Sequence, residues 1–187
     1  MSERTYCIIG TGALGGYYGA RLHHAGNPVG FLLRSDYQHV REHGLKVDSK
    51  HGDFSIAQPR IYASPAEIEP ADVAVVSLKT THNHLLPEIL PHAVKSGGSV
   101  LVMQNGLNVE ADVAAVLPDV PIVSGLAFLC SNKIGPGHIR HLDYGQVRLG
   151  QWSAEGEAMG VTQLVRDIAA DFQRAGLRVE LEDDLLL

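Results

Sequence analysis

The sequence predicts an α/β fold, a mostly parallel sheet with helices on both faces and some antiparallel strands in the C-terminal third. Three observations carry this. Short apolar runs alternate with helical periodicity over most of the 187 residues. The first run ends in a glycine-rich turn that opens a helix. With 45% hydrophobic and 19% charged residues, the composition is that of an ordinary globular chain.

Residues 6–9 (YCII) read as a strand buried on both faces. Helical spacing follows over 13–24, stopped by Gly26 and Asn27, and residues 28–33 (PVGFLL) form a second strand. A strand, a helix and a strand of this length make a parallel pair with a crossover helix. Residues 36–43 predict a short helix ended by Gly44, and 44–49 and 53–58 predict a hairpin around 50–52. Ser64, Pro65 and Glu67 have the residue types of a helix start.

The clearest buried strand is 72–78 (DVAVVSL), followed by a helix over 81–94 that 96–98 should stop. A strand at 99–103, a turn at 104–106, a helix at 108–116 and a strand at 121–129 come next. Residues 138–142 and 146–149 are expected as antiparallel strands around a turn at 143–145. A long amphipathic helix over 155–174, with Leu164, Ile168 and Phe172 facing the core, precedes a last strand at 177–181. Residues 1–181 thus form one domain, and 182–187 have the pattern of the first turn of a further helical domain.

Gly10, Thr11, Gly12, Ala13, Leu14 and Gly15 match G-x-G-x-x-G between a strand and a helix, the context in which the motif cradles a dinucleotide. Gly10 permits the tight turn, Gly12 leaves room for the pyrophosphate, and Gly15 lets the helix approach the strand. The helix N-terminus supplies N–H donors and partial positive charge. About 20 residues on, an NAD site would place an acid for the ribose 2′-hydroxyl. Arg34 stands there instead, and a planar, permanently charged fork suits a 2′-phosphate. The expected cofactor is NADP rather than NAD or FAD.

Lys79 and Asn105 each follow an apolar strand, at the carboxyl edge where ligands of open α/β sheets lie. Lys79 can face cofactor phosphate or a substrate carboxylate. Asn105 offers a donor and an acceptor to the ribose or to the substrate's polar end.

In order along the chain, "GTGALGG", "LLR" ending at Arg34, "VSLKTTH" with Lys79 and "QNGL" with Asn105 resemble motifs of the ketopantoate reductase family, the 2-dehydropantoate 2-reductases. The run "GPGHIRHLDYGQVRLG" at 135–150 is similar to a weaker block of the same family. The resemblance implies a Rossmann-like domain that binds NADPH, cytoplasmic reduction of a small 2-keto acid on the route to pantothenate, and supporting catalytic roles for Lys79 and Asn105. It also implies a cofactor contact near Ser131, in a segment similar to one that touches cofactor through its backbone. In that family a second, helical domain supplies the general-acid lysine, which has no counterpart on this sequence, and the full-length protein is expected as a homodimer. Two alternatives stay open: another NADP-linked hydroxy-acid dehydrogenase, and a domain that binds NADPH without chemistry.

The formal charge of −6 gives no concentrated basic face for nucleic acid or anionic membranes. No apolar run approaches the roughly 20 residues of a membrane span. Ten histidines invite a metal, but His23 and His24 are adjacent, His82 and His84 diverge by about 200° on a helix, and His138 and His141 alternate on a strand. No metal is expected. Cys7 and Cys130, both in apolar stretches and outside any CxxC spacing, are expected as buried thiols.

Overall fold

The computed structural model describes residues 4–183 and Leu185. The chain begins with β1 (Tyr6–Ile9), α1 (Ala13–His24) and β2 (Val29–Leu32), then α2 (Tyr37–His43), β3 (Leu45–Ser49), β4 (Phe54–Ile56) and β5 (Arg60–Tyr62). β6 (Ala71–Val76), α3 (Leu86–Ala93), β7 (Val94–Val102) and α4 (Val109–Val116) follow. The chain closes through β8 (Ile122–Gly135), β9 (His138–Gln151), α5 (Gln163–Arg174) and β10 (Val179–Leu181).

The strands form one sheet in the order β4-β3-β9-β8-β7-β6-β1-β2-β5, with β10 paired to β9. β5, β2, β1, β6, β7 and β8 run parallel, while β8 with β9 and β3 with β4 are antiparallel. From β1 the chain passes outward to β2, crosses to the β3–β4 edge, comes back to β5 beside β2 and then returns to β6 on the other side of β1. That reversal splays the connections apart beyond the carboxyl ends of β1 and β6 and opens a crevice there.

Alternation along the strands builds two cores. Tyr6, Ile8, Phe31, Val73, Val75 and Leu101 face one side, packed with Tyr17, Tyr18 and Leu22 of α1 and Ile168 and Phe172 of α5. Cys7, Ile9, Ala74, Val76, Val100 and Val102 face the other, packed with Leu86 and Leu90 of α3 and Val113 of α4. Period-2 alternation in strands buried on both faces is what requires a helical layer on each side. Thr162 caps α5 by accepting the Val165 N–H. Asp171 of the same helix, almost fully buried, accepts from the Tyr6 hydroxyl at 2.6 Å and from Arg4 at 2.7 Å, which ties α5 to the start of β1.

Several expected elements take a different form. The helix start at Ser64 is a single 3-10 turn, Pro65–Glu67, because Ile68 turns extended immediately afterwards. Glu67 accepts from the Ala63 N–H and the Ser64 hydroxyl, so the capping side chains serve each other. The helix over 81–94 divides into a 3-10 segment, Thr80–Leu85, and α3. Pro87 lacks the N–H that would continue α-helical bonding backward, so regular helix begins at its turn. β7 starts at Val94 and includes the Ser96-Gly97-Gly98 stretch, accommodated by a register shift against β6.

The helix expected from residue 155 begins only at Gln163. Gly156 and Gly160 adopt φ of 72° and 65°, which helical backbone does not contain. β5, a strand without a sequence signal, exists through its pairing with β2. Cys7 is buried, and burial pushes its thiol up to about 12. Cys130, by contrast, is exposed, because strand alternation turns it outward. The further helix expected over 182–187 falls in part, at 184, 186 and 187, on residues outside those described.

The turn expected at 143–145 is a bulge inside one continuous strand, β9, with Tyr144 at φ 62° and Gly145 at φ 116°. His141 holds it. Its Nε2 donates toward the carbonyls of Asp143 and Tyr144, both at 3.1 Å, which leaves Nδ1 to accept from the Ser49 hydroxyl at 2.9 Å. The ring lies 4.4 Å from that of Tyr17.

Burial lowers the pKa of His141 from its ordinary 6.5, and the neighbouring His51 and Lys50 act in the same direction. Because the folded value lies below the unfolded one, the contribution to stability is full above about pH 6.5 and declines as pH falls toward the folded value. Urea unfolding at about pH 7.5 and about pH 5.5 is expected to show this loss in the parent and a smaller loss in His141→Gln. Equal losses in the two proteins would refute the assignment. Asp36, Asp48 and Asp72 titrate below 3.8 and act in a separate, more acidic window.

Candidate functional site

The glycine turn leaves β1 at its carboxyl end. Gly10 takes φ 99°, and a Cβ there would stand 2.6 Å from the Leu78 nitrogen, so this position accepts only glycine. A Cβ on Gly15 would lie 2.1 Å from Ser77 Oγ and 2.3 Å from the Gly10 carbonyl oxygen. Ser77 in turn donates to that carbonyl at 2.8 Å and fixes the turn against β6. Before Gly12, by contrast, there is nothing within 4 Å of an added Cβ.

α1 starts without a side-chain cap and without an acid in its first turn. Its first N–H groups therefore keep their hydrogen-bonding capacity and their partial positive charge for a ligand. Leu14 turns its side chain to the core and Ala13 is partly covered. Thr11 Oγ1 donates to the Leu32 carbonyl at 3.3 Å, linking the turn to the end of β2.

In front of the turn lies a cleft of about 450 Å³. Its floor is Gly10, Thr11 and Gly12. Arg34 and Ser35, after β2, and Lys79 and His82, after β6, also line it. The structure thus brings together three of the sequence-identified features: the glycine turn, Arg34 and Lys79. Both cations are exposed to solvent.

Asn105 is not among the cleft-lining residues. It lies exposed on the same carboxyl edge, in the turn after β7. Gly106 approaches Thr80 closely enough that a Cβ would stand 3.3 Å from its methyl group, so the Asn105 turn packs on the segment that carries Lys79. Gln104 reinforces this by donating to the Leu78 carbonyl at 2.8 Å and to Asn83 at 2.6 Å, while its own buried Oε1 has no partner among the described residues. Ser131 donates to the Ala13 carbonyl at 3.3 Å and braces the first turn of α1 from β8.

Sequence reasoning did not select Asp36 or Lys133, which also line the cleft. Asp36 follows Arg34 by two positions, and Lys133 reaches in from β8, which runs on past the strand expected at 121–129. Asp36 carries a weak signal, as an acid just after β2. Lys133 carries none, because its position depends on how far the β8–β9 ribbon extends.

These residues fit a dinucleotide. Open space before Gly12 and an uncapped helix N-terminus meet the requirement of a pyrophosphate, and Arg34 and Lys79, which follow the strands on either side of β1, suit further anionic groups.

Sheet order and cleft together define a Rossmann-like α/β domain. The sequence profile described as ketopantoate reductase PanE/ApbA matches residues 6–154, and the chain belongs to that family. A 2-dehydropantoate 2-reductase of Nostoc sp. is 56% identical over all of this chain, which spans 59% of the relative's length. One from Halobacterium salinarum is 28% identical over 91% of this chain and 55% of its own. The crystal structure of 2-dehydropantoate 2-reductase from Geobacter metallireducens superposes with a TM-score of 0.89 at 39% identity, over 97% of this chain and 58% of that one. A D-mandelate dehydrogenase solved with NADH and anilino(oxo)acetate shares the fold, with a TM-score of 0.81 at 24% identity over 96% of this chain and 57% of that one. Among the described residues no helix is long and apolar enough to cross a membrane.

Proposed function

We propose that this chain is the cofactor-binding part of an NADPH-dependent reductase that converts 2-dehydropantoate, or a similar small 2-keto acid, to the 2-hydroxy acid for pantothenate synthesis. The observation that carries the reading is the uncapped α1 N-terminus at the β1/β6 reversal with Arg34 at the end of β2. Family membership and the names of the Nostoc and Geobacter relatives support the same substrate class.

NADPH, when bound, supplies the hydride. The N–H groups at the start of α1 hold its pyrophosphate and Arg34 its 2′-phosphate. Lys79, with an ammonium at the carboxyl edge of β6, orients either a phosphate or the substrate carboxylate. Asn105, one strand further along, holds the ribose or the substrate's polar end. Hydride arrival leaves negative charge on the carbonyl oxygen, and a positioned acid that quenches it is typically worth about 10²- to 10⁴-fold in rate. We assign that acid to the portion of the relatives' length that this chain does not span.

Titration with NADPH and with NADH, followed by cofactor fluorescence, tests the cofactor assignment. NADPH is expected to bind the tighter by at least about tenfold, and equal affinities would sink it. Turnover of 2-dehydropantoate by the 187-residue chain is expected to fall far below that of a full-length relative. Comparable rates would show that the acid lies within this chain.

A further inference from the structure

Lys133 and Asp36 are 97 positions apart in sequence and meet at the Arg34 end of the cleft. Lys133 Nζ lies 2.6 Å from Asp36 Oδ2. The same carboxylate oxygen accepts the Gly137 N–H at 2.9 Å, and Oδ1 accepts from the Ser35 hydroxyl at 3.2 Å. The Asp36 side chain is 8% exposed and that of Lys133 34%, so the acid is enclosed and the ammonium still reaches solvent.

Burial acts to raise the Asp36 carboxyl, but Lys133 and the Gly137 N–H outweigh it and hold the group below its ordinary value. The anion is therefore present and fully engaged. The contact depends on the tip of the β8–β9 ribbon. Gly137, at φ 60°, packs against Val40 of α2, and its carbonyl accepts from the Lys46 N–H at 2.8 Å. This docking delivers Lys133 to the cleft.

An unengaged carboxylate just after β2 has a known chemical consequence. It accepts a hydrogen bond from a ribose 2′-hydroxyl and repels a 2′-phosphate. Arg34 and Asp36, two positions apart on the same wall, would therefore select opposite cofactors if both were free.

We propose that Lys133 is a second cofactor-selecting residue: it masks Asp36 and adds a cation beside Arg34, so that this end of the cleft favours a phosphorylated ribose. The proposal rests on the reading that the cleft takes NADPH. Arg34 supplies the directional fork, and Lys133 removes the competing acceptor and contributes an ammonium that a bound phosphate can share with Asp36.

The two members of the pair make opposite predictions. Lys133→Met uncovers the Asp36 carboxylate, so NADPH affinity is expected to fall by about tenfold while NADH affinity holds or improves. Asp36→Asn keeps the shape and an acceptor for Gly137 but releases the lysine, so NADPH affinity is expected to hold or rise relative to NADH. Lys133→Arg should retain the parent's preference.

A pair that only braces the ribbon would behave otherwise. Both variants would then lose thermal stability and bind the two cofactors with an unchanged ratio, and that result overturns the proposal. A parent protein that binds both cofactors equally, with Arg34→Ala also without effect, would overturn the NADPH reading itself and this inference with it. A parent that prefers NADPH, with a ratio insensitive to Lys133→Met, would overturn the inference alone.

Discussion

Gly15→Ala is expected to destabilise the fold by about 3 kcal/mol or more, while Gly12→Ala, three positions earlier in the same turn, is expected to leave stability within about 1 kcal/mol and to weaken dinucleotide binding on the order of tenfold or more. The distances set the contrast. A methyl group on Gly15 meets the Gly10 carbonyl at 2.3 Å and Ser77 Oγ at 2.1 Å. The carbonyl is backbone and Ser77 is bonded to it, so neither can withdraw without opening the turn. Overpacking against side chains commonly costs about 1–3 kcal/mol, and an immovable backbone oxygen places this case at or above that range.

Against a total stability of about 5–15 kcal/mol, such a loss is visible in any urea melt. A methyl group on Gly12 meets nothing within 4 Å and Gly12 has an ordinary extended φ of −88°, so the folded protein has no reason to resist it. Its cost falls on whatever approaches the helix N-terminus. Unchanged NADPH affinity in Gly12→Ala would mean that no ligand phosphate sits there.

Arg34→Ala is expected to lower NADPH affinity by about 10- to 100-fold and to leave NADH affinity and thermal stability unchanged. Arg34 is exposed at the end of β2, so its removal leaves no cavity and no buried partner. A charge-assisted bond to an anion contributes about 1.5–3 kcal/mol net, which converts to that range of affinity. The same charge makes the difference between the two cofactors dependent on salt, with a smaller NADPH advantage at high ionic strength in the parent and little dependence in the variant. Parallel losses of NADPH and NADH affinity would instead place Arg34 at a group common to both cofactors.

Much of this site was legible before any fold was known. β1, the glycine turn, α1 and β2 follow from local rules: a short apolar run, glycines where a Cβ would collide, helical periodicity, and a glycine stop. Arg34 and Lys79 were legible because each is the first cation after such a run. The errors cluster where local rules permit two outcomes. A stretch such as Asp143-Tyr144-Gly145 suits a hairpin turn or a bulge equally well, and the pairing of β9 with β8, together with the His141 bonds, selects the bulge. Residues 155–162 had helical spacing but contain two glycines, Gly156 and Gly160, that take positive φ and so interrupt a helix.

Taken alone, the sequence determined the α/β class, the order of the central elements, the glycine turn at the start of α1 and the cation that follows β2, because each depends on residues within about one element of one another. Only the tertiary structure decided that Asn105 stands outside the cleft walls, that Cys130 faces solvent, and that Lys133 closes on Asp36. Those outcomes depend on strand register and on where the tip of a 14-residue strand pair docks. Contacts across 97 positions are set by the packing of the whole sheet, which no local pattern encodes.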